Sequence, residues 1–544
     1  MGKTATKSLH TICSGWRLVV ALAVCFILAS TAAHGQSGND LERLAHSQFS
    51  NLTECEHKLL QAAPMGETAY CGPSNRDDDP LNDATGGDRW DRSREIDANL
   101  IRWLCVDRRA SQLIDPRGIQ IHGARVIGKL DLDFVNIPFR IRILHSRFRD
   151  PIALMYAKVP ELNLGASWTA AIAADELLVT GSVLLRDGFH ADGEVDLLGA
   201  TIGADLNCVG GTFVNPGGYA IKAVGIRATD ILLDEGFRAT GEVRLVRANL
   251  SGDLKCNRGT FINRSGDAID ATGITAADLL FQKGFRAESA VKLQRARVTG
   301  ILDCAGGTFA ALDLQQAVVG TLRDDTAGWP PRGKLNLGGF VYGAIAEDPP
   351  GIGPRLDWLS RQRQFSRQPY EQLAKVLAQT GNAAASRKVL IEMEDQDRTR
   401  GPLNALKWYW RLPVKLWKWV LKLTIGYGYA PWRALYCSLM IVALGAVLFW
   451  AGKRRGVIVP ADERAESHFP FSPFWYSLDS FLPIVNLHQN DHWIPRPTRD
   501  GVLLWGLRYD MFLRRYLWVH TLMGWTLTTL FAAGVTGVVR SSFF

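Results

Sequence analysis

The chain has 544 residues, with 62 Lys and Arg against 54 Asp and Glu, and nine cysteines. Residues 401–544 hold 16 basic against 7 acidic side chains, leaving 46 against 47 before them. A near-neutral first part excludes a nucleic-acid-binding surface there, and the basic excess behind it points to anionic lipid.

Lys3, Lys7 and Arg17 precede the apolar run Leu18 to Ala29, and the small residues of STAAHGQ come next. Basic, apolar and small-residue regions in that order predict a secretory signal over 1–35, cleaved near Gly35 or kept as an N-terminal anchor. The next domain is then exported from a bacterial cytoplasm. Residues 36–117 read as a polar lead-in and a helical cap. Ser, Asn, Asp, Gly and Pro crowd its first half, as in CGPSNRDDDPLNDATGGD, which predicts a flexible surface loop. Two of Cys55, Cys71 and Cys105 can pair in an oxidising compartment, and spacing does not choose which. Ile96, Leu100, Ile101 and Leu104 keep helical spacing, so an amphipathic helix over 93–107 is expected to cover the open end of the repeat domain.

Residues 118–345 repeat themselves. GEVDLLGATIGADLNCVGGTF, GEVRLVRANLSGDLKCNRGTF and SAVKLQRARVTGILDCAGGTF place Cys208, Cys256 and Cys304 at a fixed step of 48. Gly188-Phe189, Gly236-Phe237 and Gly284-Phe285 keep the same step, while Asp205, Asp230, Asp253 and Asp278 halve it, at 25, 23 and 25. A fixed period marks a repeat architecture. Apolar and polar residues alternate in runs of three to five between Gly, Asn and Asp, which predicts short strands joined by tight corners. The expected fold class is therefore mainly β solenoid: a right-handed β-helix with rungs of about 24 residues and three or four strands per rung. Cysteines two rungs apart would sit roughly 10 Å from one another, too far for a disulfide or a shared zinc. They read as small inward-pointing apolar side chains. The stretches 168–173 and 312–331 depart from the pattern and are expected as loops leaving the solenoid.

Helical periodicity takes over after Pro354. Tyr370, Leu373, Val376 and Leu377 form one stripe, and Ala383, Ala384, Val389, Leu390 and Met393 another beyond Gly381-Asn382, which predicts an α-helical hairpin within 355–400. In 401–430, Lys407, Arg411, Lys415, Lys418 and Lys422 alternate with Trp408, Trp410, Trp417 and Trp419, as in a basic amphipathic helix lying at a bilayer surface. Residues 431–544 read as a two-span membrane domain, with transmembrane helices over 434–451 and 517–539 and a loop at 452–516. Lys453, Arg454, Arg455, Arg464, Arg499, Arg508, Arg514 and Arg515 place that loop in the cytoplasm; the basic helix before the first span runs against this. Gly524, Thr528 and Ala532, with Ala533 and Gly537, give the second span a small-residue face for pairing with the first or with a second copy of the chain.

The sequence holds no phosphate-binding loop, dinucleotide fingerprint or serine-hydrolase elbow. His488 and His492 have i,i+4 spacing beside Asp491, but Asn490 favours a turn and a third ligand is missing. GYGY at 426–429 precedes the first span and so is not a pore filter, although the aromatic 469–495 segment between the spans mimics a two-span channel. Trp475 and Tyr476 are expected at headgroup level, and His520 near the interface. Asp187, Asp234 and Glu235 fall near stacked corners and are the carboxylates to test for catalysis; the simpler reading makes them solvated turn residues. No catalytic residue, cofactor or metal ligand is assigned.

REIDANLIRWLCVD, the GEVRLxxAxLxGDLxC rungs, QPYEQLAKVLAQTGNAAASRKVLI, GYGYAPWRAL and GWTLTTLFAAGVTGVVR together resemble a bacterial family of membrane-bound, pentapeptide-repeat-like proteins, often labelled membrane-associated oxidoreductase or uncharacterised membrane protein. The resemblance implies redox chemistry, for which the residues supply no motif. The chain is expected to be a membrane-tethered binding or scaffold protein of the cell envelope, its β-helix on the outer side of the inner membrane. Its partners would be the lipid bilayer and a protein or glycan on the β-helix face, with no nucleic acid. The alternatives are an envelope enzyme acting on polysaccharide and a channel or signalling protein using 469–495.

Overall fold

The computed structural model describes residues 40–346, 351–400, 408–462, 470–482, 484–496 and 509–538; the expected signal segment lies outside them. The chain divides into two compact units, 1–364 and 365–544.

The first unit is a β-solenoid of about ten turns. One rung shows the plan. Its strands are Trp168–Thr169, Ile172–Ala173, Leu178–Val179 and Val183–Leu184, the first two in one sheet and the last two in another. Strand pairing within the solenoid is parallel: Leu162, Val183, Leu206, Ile231, Leu254 and Leu279 lie opposite one another on successive rungs, 21 to 25 residues apart. The expected period is therefore met, with four strands in a rung. A left-handed residue turns the chain at the corners, Glu176, Gly199 and Arg247 on one edge and His145, Asp187 and Glu235 on another, and extra residues also enter within a strand, between Val214 and Tyr219.

In-register stacking brings equivalent side chains together. Phe189, Phe213, Phe237, Phe261, Phe285 and Phe309 form one buried column with ring centroids 5.0–5.5 Å apart. The two sequence ladders, Gly-Phe and Gly-Thr-Phe, are thus alternate steps of a single stack. The aspartates form another: Asp205, Asp230, Asp253 and Asp278 each accept a hydrogen bond from the backbone N–H one rung on, at 2.7–3.3 Å. Cys208, Cys256 and Cys304 are buried and unpaired, at inward positions where Leu233 and Phe281 occupy the intervening rungs. Burial pushes all three thiols up, which makes them inert fillers of the core.

The ends differ from the sequence expectation. Residues 54–106 are built, not loose. Helix α1 (Glu54–Ala62) carries a complete capping box between Thr53 and Glu56, and Cys55 is bonded to Cys71 with Cα atoms 5.0 Å apart. Cys105 is buried and free. Asp79, Asp83 and Asp91 each accept the N–H two residues on and start a tight helical turn, so an aspartate-rich run that looks flexible is in fact a series of caps. Ile96 is not helical: Glu95–Asp97 pairs with Arg125–Ile127 as an early rung. The covering helix is the shorter α2 (Ala98–Val106), with Leu100, Ile101 and Leu104 fully buried.

Two stretches expected as loops belong to the solenoid. Trp168–Thr169 and Ile172–Ala173 keep register with their neighbours, because alanines replace the larger residues without changing direction. Thr308–Asp313 and Val318–Arg323 are likewise strands, leaving the excursion to residues 324–331. Helix α3 (Ile352–Ser360), expected to begin the hairpin, instead caps the last rung. There Arg355 meets Asp324 at 2.6 Å, both almost fully buried, and Trp329 donates to the same carboxylate at 2.8 Å.

The second unit is helical. Helices α4 (Gln368–Gln379) and α5 (Ala383–Arg400) make the hairpin, with Asn382 accepting from Ala385 N–H at the start of α5. Helix α6 (Trp408–Ile425) comes next. Its lysines are not all lipid-facing: Lys418 meets Asp397 at 2.6 Å and Lys422 pairs with Asp395. Among the described residues one helix, α7 (Trp432–Arg454), is long and apolar enough to cross a membrane. Helix α8 (Pro473–Phe481) packs between it and α9 (Tyr509–Val535). Expected as a second span, α9 has the length, but Asp510, Arg514, Arg515, His520 and its threonines dilute its apolar character.

The phenylalanine column yields a direct test. Phe261→Ala should lower the unfolding free energy of the solenoid by about 3–5 kcal/mol, the range for deleting a buried aromatic ring. Denaturant unfolding followed by circular dichroism measures it, and a loss below about 1 kcal/mol would show that the stack is not a principal support.

Candidate binding face

Outer side chains stack as the core does, so each column on the solenoid surface is a sequence of residues one rung apart. Arg125, Arg147, Trp168, His190, Thr212 and Arg238 form such a column. Trp168 is held on both faces: the Arg147 guanidinium lies 4.5 Å from its ring centre, and the His190 ring lies 3.7 Å away, nearly parallel. Burial holds the His190 imidazole below its ordinary range, with Arg147 adding to the effect. Arg147 donates through Nη2 to Asp88 at 2.7 Å, while its buried Nε and Nη1 have no partner. Arg147, Arg149, Trp168, Asp88 and Asp192 border a cavity of about 300 Å³.

The surface beside this cavity is a shelf of small residues, Ala170, Ala171 and Ala173. Beyond it Asp196 meets Lys222 at 2.6 Å, with Glu194 at 3.8 Å from the same ammonium. Asp175 completes the group. Its Oδ1 is buried without a donor, and burial followed by the neighbouring Asp196 carboxyl raises its pKa. Glu194 is raised for the same two reasons in the same order.

The carboxylates expected from sequence are elsewhere. Asp187 and Glu235 share one corner column with Gly210 between them, so they stand two rungs, roughly 10 Å, apart. Asp187 lies 3.2 Å from Arg186 and Glu235 lies 2.6 Å from Arg258. Asp234 has a buried Oδ1 without a donor and a raised pKa, through burial first and Glu235 second. These three form no paired acid–base site. His488 precedes the short helix Gln489–His492 in a left-handed conformation and contacts Asp491 at 3.1 Å, so helical i,i+4 spacing does not apply to it. Tyr427 of GYGY is buried in a tight turn between α6 and α7. Tyr476 is buried rather than at a headgroup surface, and His520 is enclosed, within 3.0 Å of the Ser477 carbonyl and 3.2 Å of its hydroxyl. Gly524 lets the Phe481 carbonyl of α8 approach α9, while Thr528 faces Ala434, Leu435 and Val442 of α7 across a shared cavity.

Among the described residues two groups of side chains could hold a metal, Glu42 with His46 and His57, and Asp77 with His122 and His145. Sequence reasoning missed both, because their members are scattered, and missed Asp175 because its rung was read as a loop. Aligning WTAAIAADELL with HADGEVDLLGA at Trp168 and His190, with one gap that brings Ile172 opposite Val195, would have recovered that rung. Compared with protein-family models, curated proteins and solved structures, the chain matches none.

The raised Asp175 sets a sign. Between the ordinary carboxyl value of 3.8 and its higher folded value, the folded chain binds more protons than the unfolded one, so stability falls as pH rises through that window and stays low above it. Asp175→Asn removes the loss and should raise the melting temperature at pH 7 but not at pH 3.5. Equal shifts at both values would contradict the assignment.

Proposed function

We propose that this chain is a membrane-tethered solenoid that binds or scaffolds a partner at the bacterial cell envelope. The observation that carries the reading is the apolar exterior of the second unit. Leu435, Leu439, Met440, Leu444 and Val447 project outward along α7, with Met440 74% exposed, and Trp518, Leu522 and Trp525 do so along α9. Water-facing helices do not carry such continuous apolar surface. Trp432 and Trp450 mark the ends of α7, and Lys453, Arg454 and Arg455 come after, the order of an interface anchor and a charged flank.

Helix α9 suits lipid better than its composition suggests. The hydroxyls of Thr521, Thr526, Thr529 and Thr536 each donate to the carbonyl four residues back, at 2.8–3.0 Å. Their polarity is thereby satisfied inside the helix. We take α7 and α9 as two spans of the inner membrane, with the solenoid outside the cytoplasm, where an oxidised Cys55–Cys71 pair is at home. The resemblance to membrane-bound pentapeptide-repeat-like proteins belongs to this same reading, as does a right-handed coil. Redox catalysis does not follow from it, since the solenoid thiols are buried and unreactive. The shelf at Trp168 is the binding face, where the Trp168 ring, stacked between Arg147 and His190, borders an open cavity.

Membrane attachment is tested by alkaline carbonate extraction of cell membranes. The full chain should stay in the pellet and a chain ending at residue 364 should be released. Release of the full chain would overturn the tether.

A further inference from the structure

His122 and His145 are brought together by the solenoid itself. His122 ends the strand Ile119–His122, which pairs with Ile141–Leu144, and His145 comes next at the corner. Their rings stand 4.7 Å apart. Both Nε2 atoms converge on one oxygen, Oδ1 of Asp77, at 3.1 Å for His122 and 3.7 Å for His145. Asp77 comes from the cap, on the loop beyond the disulfide-bonded Cys71. Asn82, fully buried, fixes that loop by donating to the Ser74 and Arg76 carbonyls, each at 3.1 Å.

We propose that Asp77, His122 and His145 form a site for a divalent transition-metal ion that ties the cap loop to the first rungs of the solenoid. A tetrahedral ion with bonds of about 2.0–2.1 Å separates its ligand atoms by roughly 3.3 Å. The two observed separations bracket that value, and all three ligand atoms lie within 4.8 Å of one another. The donor set is two imidazoles and one carboxylate, which zinc and its first-row neighbours accept. Asp83 and Asp187 add negative potential at His145. The histidine side chains are 3% and 16% exposed and the Asp77 side chain 78%. The imidazoles are therefore held rigidly, and the carboxylate side opens to solvent for entry and for a water ligand.

The support behind the ligands is incomplete: Nδ1 of His122 is buried without a partner. Lacking that hydrogen bond, the site should bind about 10–100-fold more weakly than a fully backed one. The other group, Glu42 with His46 and His57, is more exposed, and Glu42 is already engaged by His57 at 2.5 Å.

The test uses the full chain, purified in detergent without a histidine tag, stripped with chelator and titrated with Co(II), then with Zn(II) in competition. One equivalent of Co(II) should give visible absorption between about 500 and 650 nm, displaced by Zn(II), and the ion should raise the melting temperature of the solenoid in a concentration-dependent way. Asp77→Asn and His145→Gln should each lower affinity at least tenfold and abolish the thermal shift, with the metal-free melting temperature unchanged. A His46→Gln/His57→Gln double variant should bind as the parent does. Absence of binding, retention in both single variants, or loss in the double variant would overturn the assignment.

Discussion

Parallel, in-register stacking is the constraint on which the first unit depends. Most strands are only two to four residues long, so none of these is stable by itself. The backbone partners and side-chain neighbours of each come from the rungs before and after it. Equivalent positions must therefore hold side chains that tolerate their own company about 4.8 Å away. Phenylalanines do so in the core, and aspartates do so by accepting the next rung's N–H. Extra residues enter between paired segments, as at 214–219, where the register shifts within one strand. That is why rungs of 21 and 25 residues stack on one another.

The same rule governs the outer surface. Asp196, Lys222, Arg244, Asp270, Lys292 and Asp313 succeed one another in a single column of mixed charge. Exposed pairs of this kind contribute little each, but they prevent a run of one sign down the column. Specific chemistry arises where a column changes character. At Ala173 the charged column gives way to a small residue, and Asp175 lies beside Asp196 without a base of its own. At Trp168 an arginine column turns aromatic, and Arg147 keeps donors to spare.

Much of this was readable from residues because a repeat exposes its own rules. The cysteine, aspartate and glycine–phenylalanine ladders carry the period, and the inward place of the cysteines follows from strand spacing alone. Three things were not readable. The cap was hidden because Asp79, Asp83 and Asp91 signal flexibility by composition but act locally as caps. The metal-type cluster was hidden because residues 77, 122 and 145 meet only through rung stacking and a disulfide-anchored loop. Lys418 and Lys422 looked like lipid contacts because their acidic partners, Asp397 and Asp395, lie on a different helix. In the last two cases the missing information is a long-range pairing, which periodicity does not encode; in the first it is a local bond from each aspartate to the N–H two residues on.

The second unit obeys a different rule. Threonine hydroxyls of α9 bond its own backbone, Ser477 and His520 bond where α7, α8 and α9 meet, and many apolar side chains of α7 and α9 face outward. The proposed display of the solenoid outside the cytoplasm rests on this arrangement and on the Cys55–Cys71 disulfide. Alkaline phosphatase fused after residue 340 in a bacterial host measures that placement. An active, exported enzyme is expected. Inactive phosphatase, with a fluorescent protein at the same position maturing in the cytoplasm, would contradict it.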